Sequence, residues 1–400
     1  MSMHAAVGVS GNARYAFGLR ASSTARALLV AEWARVCWLW NECVARSKKA
    51  DAEGELCGPA ALDRMLTQAR AVTPWLAAGS SVPQQQVIRD FGKSRSKALK
   101  DIKDGHSMRR RAGMPRYRKK RDSRPSLDCT RRGFRLKDGR LHLAGGIVLT
   151  VVWSRDLPCD PSSVRVCQDT LGHWYASFVA AAHVQPRPEA GRVLGVDWGV
   201  KETATTTSDD HDLPHPEFGR QAAQRLAHYQ RMMARRRPAR GQAASRGCRA
   251  AQQQAAKLHK KVTRQRQDTA RKWAKRVVTD HDALAVEDFK PKFLGQSTMA
   301  RKAADAAIGA TKQALLEMGW KHGRAIHLVH PAYSTMDCAK CGARTKHQLP
   351  LSERTYTCTT WGNVSPRDKN STRVMLIRAG LYPAGTEGRR PPGTPLREAA

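Results

Sequence analysis

Three carboxylates stand at the ends of short apolar runs. Asp197 closes Val193-Leu194-Gly195-Val196, and Gly199 then permits a tight turn into the β-rich run 203–207. Glu287 closes Ala283-Leu284-Ala285-Val286, and Asp368 follows Arg367 ahead of Val374, Met375 and Ile377, where a helix can begin. An aspartate in an apolar run is costly to bury unless it meets a cation or a hydrogen-bond partner. Residues 193–201 alone favour the simpler reading, an aspartate bonded to its own turn. Three carboxylates at the ends of separate elements reverse that preference. Oxygen ligands of this kind hold Mg²⁺, and two such ions stabilise the attacking and leaving oxygens of an in-line phosphodiester displacement. A second chemical group is Cys338-x-x-Cys341 with Cys358, thiolates at a spacing suited to tetrahedral zinc.

The elements that must carry these residues can be read in outline. Segments 193–198, 203–207 and 283–287 are strand-like, and 326–329 is a strand leading into the cysteine segment. Residues 219–237 and 250–278 read as two long helices, the second with an apolar stripe of Leu258, Val262, Trp273 and Val277; 303–319 reads as one more helix. Upstream, 11–20 is a strand, while 24–47, 60–71 and a segment starting near Pro83 are helical, a first-turn proline suiting the last. Trp33, Trp38 and Trp40 are expected in the core. Between residues 134 and 182 short alternating runs are separated by Asp138-Gly139, Gly145-Gly146 and Leu171-Gly172-His173. Asp138-Gly139 is a hairpin signal, and regular short strands point to a small barrel.

The charge balance names the partner. Seventy Lys+Arg against 34 Asp+Glu give a net +36. An excess of that size repels itself unless it faces a polyanion, so nucleic acid is expected. A membrane-surface protein would need an amphipathic anchor or a lipidation signal, and no run of ~18 uncharged apolar residues predicts a span. The opening residues lack the basic start and apolar core of a signal peptide. A reducing, cytoplasmic setting follows, with Cys37, Cys43, Cys57, Cys129, Cys159, Cys167 and Cys248 as structural thiols.

Asp197, Glu287 and Asp368, in these flanks and this order, resemble the split RuvC-like nuclease domain of the TnpB family. These are transposon-encoded, RNA-guided endonucleases related to the type V CRISPR effector nucleases. Cys338-Ala339-Lys340-Cys341-Gly342, then Cys358 and Gly362, look like that family's zinc ribbon. Gly113-Met114-Pro115-Arg116-Tyr117 resembles the start of its wedge domain. The resemblance runs over residues 80–378 and implies a multidomain α+β fold. A small wedge β-barrel (1–20 and 116–185) is interrupted by a helical recognition lobe (21–115). An RNase H-like (RuvC) α/β nuclease domain follows (190–332 and 362–380), with helical insertions and a zinc ribbon at 333–361. Residues 381–400 form a Pro-, Gly- and Arg-rich tail expected to be disordered.

The resemblance also implies roles. Asp197, Glu287 and Asp368 would bind two Mg²⁺ ions for hydrolysis of target DNA beside a short flanking motif, with Arg367 and Asn370 positioning the scissile phosphate or the third carboxylate. Partners would be a guide RNA and target double-stranded DNA at a bacterial nucleoid, with no membrane; the oligomeric state, monomer or dimer, stays open. Gln84, Gln85 and Gln86 are placed to bond bidentately to adenine, or they simply form an exposed helix start. Arg116, Tyr117, Arg118, Lys119 and Lys120 would contact phosphates, and His259, Arg264 and Arg266 would lie against the heteroduplex. The family's fourth zinc ligand would fall at 361, where this chain has Trp361. Either three thiolates hold Zn²⁺ with a water or His347, or the metal is lost and Trp361 packs in its place. A defective ribbon would favour an alternative function, an RNA-guided DNA-binding protein with weak or absent cleavage, acting as a repressor or a transposition accessory.

Overall fold

The computed structural model describes residues 11–108, 110–119, 123–239, 242–345, 347, 350 and 352–381. Lys120, the first half of the segment 1–20, and the tail from 382 lie outside them. The chain divides into two compact units, one spanning Ser10–Ala182 and the other containing everything from His183 on.

The first unit begins with β1 (Asn12–Arg20) and continues through α1 (Ser23–Ala52), α2 (Pro59–Val72), the single turn α3 (Pro74–Ala77) and α4 (Ser81–Lys103). Six strands follow: β2 (Ser126–Thr130), β3 (Phe134–Lys137), β4 (Arg140–Leu143), β5 (Ile147–Val152), β6 (Ser163–Gln168) and β7 (Trp174–Ala181). They join β1 in one seven-stranded sheet of order β2-β6-β7-β1-β5-β4-β3, a nearly closed barrel. Alternation drives it. Ile147, Leu149 and Val151 of β5 and Trp174, Ala176, Phe178 and Ala180 of β7 are buried, and the residues between them are more exposed. Asp138 and Gly139 both take positive φ (51° and 70°), the primed turn that matches strand twist in a two-residue hairpin. Strand β2 was not expected, although it buries Leu127 and Cys129 in alternation. α1 starts at Ser22, whose hydroxyl accepts from the Ala25 N–H at 3.1 Å. It buries Leu29, Trp33, Val36, Cys37, Trp40 and Val44 at helical spacing, each large side chain contributing ~1.5–3 kcal/mol. Trp38 is half-buried, its ring edge-on to Trp75 at 6.3 Å.

The second unit is built on β8 (Val193–Trp198), β9 (Glu202–Thr206) and β10 (Leu213–Pro214), then α5 (Phe218–Arg235), α6 (Arg246–Asp280), β11 (Ala283–Glu287), α7 (Ala300–Ala306), α8 (Ile308–Lys321) and β12 (Ala325–Val329). β13 (Thr355–Thr357), β14 (Val364–Pro366) and α9 (Arg367–Arg378) complete it. The sheet order is β10-β9-β8-β11-β12, with β8, β11 and β12 parallel and β9 antiparallel to β8. Leu194, Val196, Leu284 and Val286 pack against Trp273, Val277 and Val278 of α6 and Leu315 of α8. The single helix expected over 303–319 is broken at Ala307, which takes a left-handed φ of 53°. Just before the break, Asp305 accepts hydrogen bonds from Gly219 N, Arg220 N and Arg266 Nη2 at 2.7–2.9 Å. That anchoring overrides the helix preference of an alanine-rich run, at a local cost of order 1–3 kcal/mol. Among the described residues, no helix is long and apolar enough to cross a membrane.

Candidate active site

Strands β8 and β11 place two of the three carboxylates side by side. Their parallel register pairs Gly195 with Ala285 and Val196 with Val286, so Asp197 and Glu287 emerge together at the carboxyl ends. The two carboxyl groups hydrogen-bond each other. Glu287 Oε2 also accepts from the Trp198 backbone N–H at 3.2 Å, and the Trp198 indole donates to the Glu287 carbonyl at 3.1 Å. Helix α9 supplies the third carboxylate. It crosses β8 so tightly that a Cβ on Gly195 would stand 2.1 Å from the Thr372 carbonyl oxygen. Asp368 occupies its first turn, where the helix dipole favours a negative charge.

Desolvation, then the charge of Glu287 and more weakly that of Asp368, push Asp197 well above the usual carboxylate range. Burial raises Glu287 as well, against the opposing hydrogen bonds from Asp197 and Trp198 N–H and the charge of Lys312. Crowded carboxylates of this kind have the donor chemistry that a hard divalent ion such as Mg²⁺ requires. Among the described residues the three carboxylates do not close to within 4.8 Å of one another, as the three cysteines do. Asp368 lies close enough for its charge to act on Asp197, and Arg354 Nη1 is 3.7 Å from the Asp368 carboxylate.

The neighbours of Asp368 hold its helix. Lys369 Nζ lies 2.7 Å from Asp212, 2.5 Å from Asp209 and 2.9 Å from the Thr206 carbonyl; these carboxylates keep it protonated despite burial. Arg367 is buried and donates to the Pro350 and Glu353 carbonyls at 2.8 and 3.3 Å. Asn370 Nδ2 donates to Asp337 O at 2.7 Å, and Asn370 Oδ1 accepts from Ala339 N at 3.0 Å. Both side chains are thus committed to bracing the cysteine segment against α9. The side-chain hydrogen bonds of Arg367 and Asn370 go to the cysteine segment and its approach, not to Asp368.

Cys338, Cys341 and Cys358 bring their sulfurs within 4.8 Å of one another, Cys341 and Cys358 at 3.5 Å. Two matching turns make the cluster. Cys338 N donates to Ala343 O and Gly342 N to Cys338 O; likewise Cys358 N donates to Asn363 O and Gly362 N to Cys358 O. Gly342 and Gly362 both carry positive φ (73° and 61°). Trp361 therefore occupies in the second turn the place that Cys341 has in the first. It is 68% exposed, so the packing alternative does not hold: its indole is turned to solvent and leaves the fourth position unfilled. His347 is exposed and outside the cluster. Burial and the neighbouring thiols push Cys341 up to about 11. Burial also opposes ionisation of Cys358, yet the Trp361 and Thr360 N–H groups bring it below the ordinary thiol range. Three sulfurs held this close together are a sound starting point for a soft divalent ion.

The expected nucleic-acid contacts divide. Arg116, Tyr117, Lys119, His259 and Arg264 are exposed, and Gln85 is half-buried. Gln84 is fully buried: its Oε1 accepts from Arg70 at 2.7 Å and its Nε2 donates to Leu76 O at 3.0 Å, so it is unavailable to base edges. Arg118 is half-buried and stacks its guanidinium 3.5 Å from the Trp40 ring centroid. Arg266 is paired with Asp305 at 2.7 Å and serves the α5–α7 junction instead of a phosphate. Lys120 lies outside the described residues. Lys369 was not anticipated, because its acidic partners are far away in sequence.

Two family models match the chain. OrfB_IS605, described as a probable transposase, covers residues 169–293 and includes Asp197 and Glu287; the Cas12f1-like TNB domain covers 309–375 and includes the cysteines and Asp368. A Streptomyces pristinaespiralis protein named as an RNA-guided DNA endonuclease is 29% identical over 335 residues, 80% of this chain and 79% of the relative. InsQ of Escherichia coli K12, named likewise, is 25% identical over 76% of each chain. The solved structure of Cas12f1 in complex with sgRNA and target DNA shares the fold, with a TM-score of 0.54 at 12% identity, covering 88% of this chain and 83% of that one. The first family model frames the paired carboxylates, the second frames the cysteines and Asp368, and both relatives align across three quarters of their length, which together support the resemblance to the TnpB family.

Proposed function

We propose that this protein is an RNA-guided DNA endonuclease in which Asp197, Glu287 and Asp368 hold two Mg²⁺ ions and cleave target DNA beside a short flanking motif. The observation that carries this reading is the pairing of Asp197 with Glu287 at adjacent strand ends, under a helix that presents Asp368. When bound, the ions would supply Lewis-acid stabilisation of the attacking and leaving oxygens. The protein's own part is placement. Trp198 N–H orients Glu287, the Gly195 contact seats α9, and Lys369 ties the first turn of α9 to the end of β9. Sequence specificity would rest on guide pairing, the protein holding the heteroduplex through its backbone. The net charge of +36 suits that role.

In this reading the barrel strands form a wedge, α1–α4 a recognition lobe, and the unit from His183 on a RuvC-like nuclease with a zinc-ribbon-like insertion. The insertion would hold Zn²⁺ through Cys338, Cys341 and Cys358. The setting would be the bacterial cytoplasm, at the nucleoid.

The exposed Trp361 favours one second reading, an RNA-guided binder with weak cleavage. A single experiment separates the two: plasmid cleavage with Mg²⁺ by protein purified with its co-expressed flanking RNA, against a library of target-flanking sequences. Guide-dependent linear product that disappears in Asp197→Ala supports the nuclease. Guide-dependent retention of DNA without any cut product refutes it in favour of the binder.

A further inference from the structure

The first unit contains a cavity of ≈ 300 Å³ that the cleavage reading does not use. It lies at the small end of the ~300–1,000 Å³ range of pockets that hold small molecules. Trp33 and Trp40 of α1 form its aromatic side, extended by Arg118, whose guanidinium is 3.5 Å from the Trp40 ring centroid. That stack is fixed in place. The Trp40 indole donates to Arg116 O at 2.9 Å, and Asn41 bonds the backbone of Arg118 in both directions, at 2.7 and 3.0 Å.

The polar side comes from α4, β2 and β6. Asp128 is committed to Arg165 at 2.7 Å. Asp90 has acceptor capacity to spare: among the described residues its carboxylate accepts no hydrogen bond, and burial and the charge of Asp128 raise its pKa against the opposing charges of Arg165, Lys93 and Arg118. Trp33, also on the wall, has a buried indole N–H without a partner among the described residues. A guanidinium plane backed by an indole, in the same cavity as a carboxylate with free acceptor positions, has the chemistry of a base reader. Unstacked bases are held on aromatic and guanidinium planes and read along their Watson–Crick edges. A carboxylate is an acceptor with two oxygens. Guanine alone among the common bases offers it two adjacent donors, N1–H and the 2-amino group; the others mix donors with acceptors on that edge.

We propose that this pocket binds a single unstacked guanine, its N1–H and 2-amino group donating to Asp90 and its ring lying on the Arg118–Trp40 stack. Only the source of the base, guide RNA or DNA, rests on the RNA-guided reading.

The test uses the full chain purified with its co-expressed flanking RNA. In one arm 6-thioguanine replaces guanine in the RNA, in the other in the DNA; near-ultraviolet crosslinks are mapped by mass spectrometry. Crosslinks within residues 33–40 or at Arg118, in one arm, support the pocket and name the source. At the crosslinking position hypoxanthine, which lacks the 2-amino group, lowers affinity on the order of ten-fold in the wild type. Asp90→Asn lowers it similarly for guanine, and the two losses do not add. Should Asp90→Asn melt earlier than the wild type, the hypoxanthine loss in the wild type decides alone. Crosslinks only elsewhere, or a full hypoxanthine loss that persists in a well-folded Asp90→Asn, overturn the proposal. RNA retained without a pocket crosslink in either arm overturns the pocket and leaves the RNA-guided reading standing. If no RNA is retained, that reading fails and the DNA arm decides the pocket.

Discussion

Adding one methyl group at Gly195 should disable cleavage without touching any carboxylate. The Cβ of Gly195→Ala would be 2.1 Å from the Thr372 carbonyl oxygen and 3.2 Å from Leu376 Cγ. The first of these is a backbone atom in the middle of α9, so no side-chain rotation relieves the clash. Real Cβ contacts essentially never fall below 3.0 Å, so strand and helix must separate by nearly 1 Å. Overpacking of this kind costs about 1–3 kcal/mol, which a unit of this size can absorb and remain folded. The catalytic consequence is larger. Asp368 is carried by the first turn of α9, and a displacement of about 1 Å at a reacting centre lowers rates ~100-fold. The assay is single-turnover cleavage at saturating guide and target, with target binding measured in parallel by anisotropy. The expected result is a ~100-fold slower cut with binding changed less than about two-fold. Cleavage within a few-fold of wild type would refute the reasoning that the Gly195–Thr372 approach sets Asp368. Loss of binding together with cleavage would show global unfolding instead.

Three further outcomes can be checked. Because Asp197 is raised in the folded state, the folded chain binds more protons than the unfolded one near that pKa, and stability falls as pH rises through it. Asp197→Asn in chelator-treated protein should therefore raise the Tm at neutral pH, by roughly 2–4 °C per kcal/mol relieved. The gain should vanish toward the ordinary carboxylate pKa and shrink when Mg²⁺ is added; a gain independent of pH would disprove the coupling. Lys369→Met removes the tie to Asp209, Asp212 and Thr206 O, and should slow cleavage about ten-fold with guide binding intact. An unchanged cleavage rate would show that α9 needs no such anchor. Trp361→Cys completes a four-thiolate set on the second turn, so zinc retained after dialysis against a chelator should rise toward one ion per chain. No gain in bound zinc would mean that the two turns are not equivalent.

Much of the site was legible because its signals are local. Asp197 and Glu287 end apolar runs, and an apolar run ending in a carboxylate needs no tertiary knowledge to be noticed. The hairpin at Asp138-Gly139 is legible for the same reason, since both residues tolerate the positive φ the turn demands. What escaped depends on partners distant in sequence. Gln84 reads as an exposed residue at a helix start, and only the folding back of α2 and α3 delivers Arg70 and Leu76 to bury it. Ala307 sits in a helix-forming run, and the break there follows from Asp305 reaching α5 and α6.

Arg367 and Asn370 show how far such long-range commitments reach into function. Beside an aspartate proposed to be catalytic, a cation and an amide invite a role in the chemistry. Yet Arg367 is spent on the carbonyls of Pro350 and Glu353, and Asn370 on the first cysteine turn. The same two side chains therefore join the cysteine cluster to the helix that carries Asp368. A loosened cluster would be felt at the third carboxylate through hydrogen bonds made to backbone atoms, whatever ion the cysteines hold. On this geometry the missing fourth thiolate at Trp361 bears on cleavage by way of the placement of α9, since the carboxylates themselves are all present.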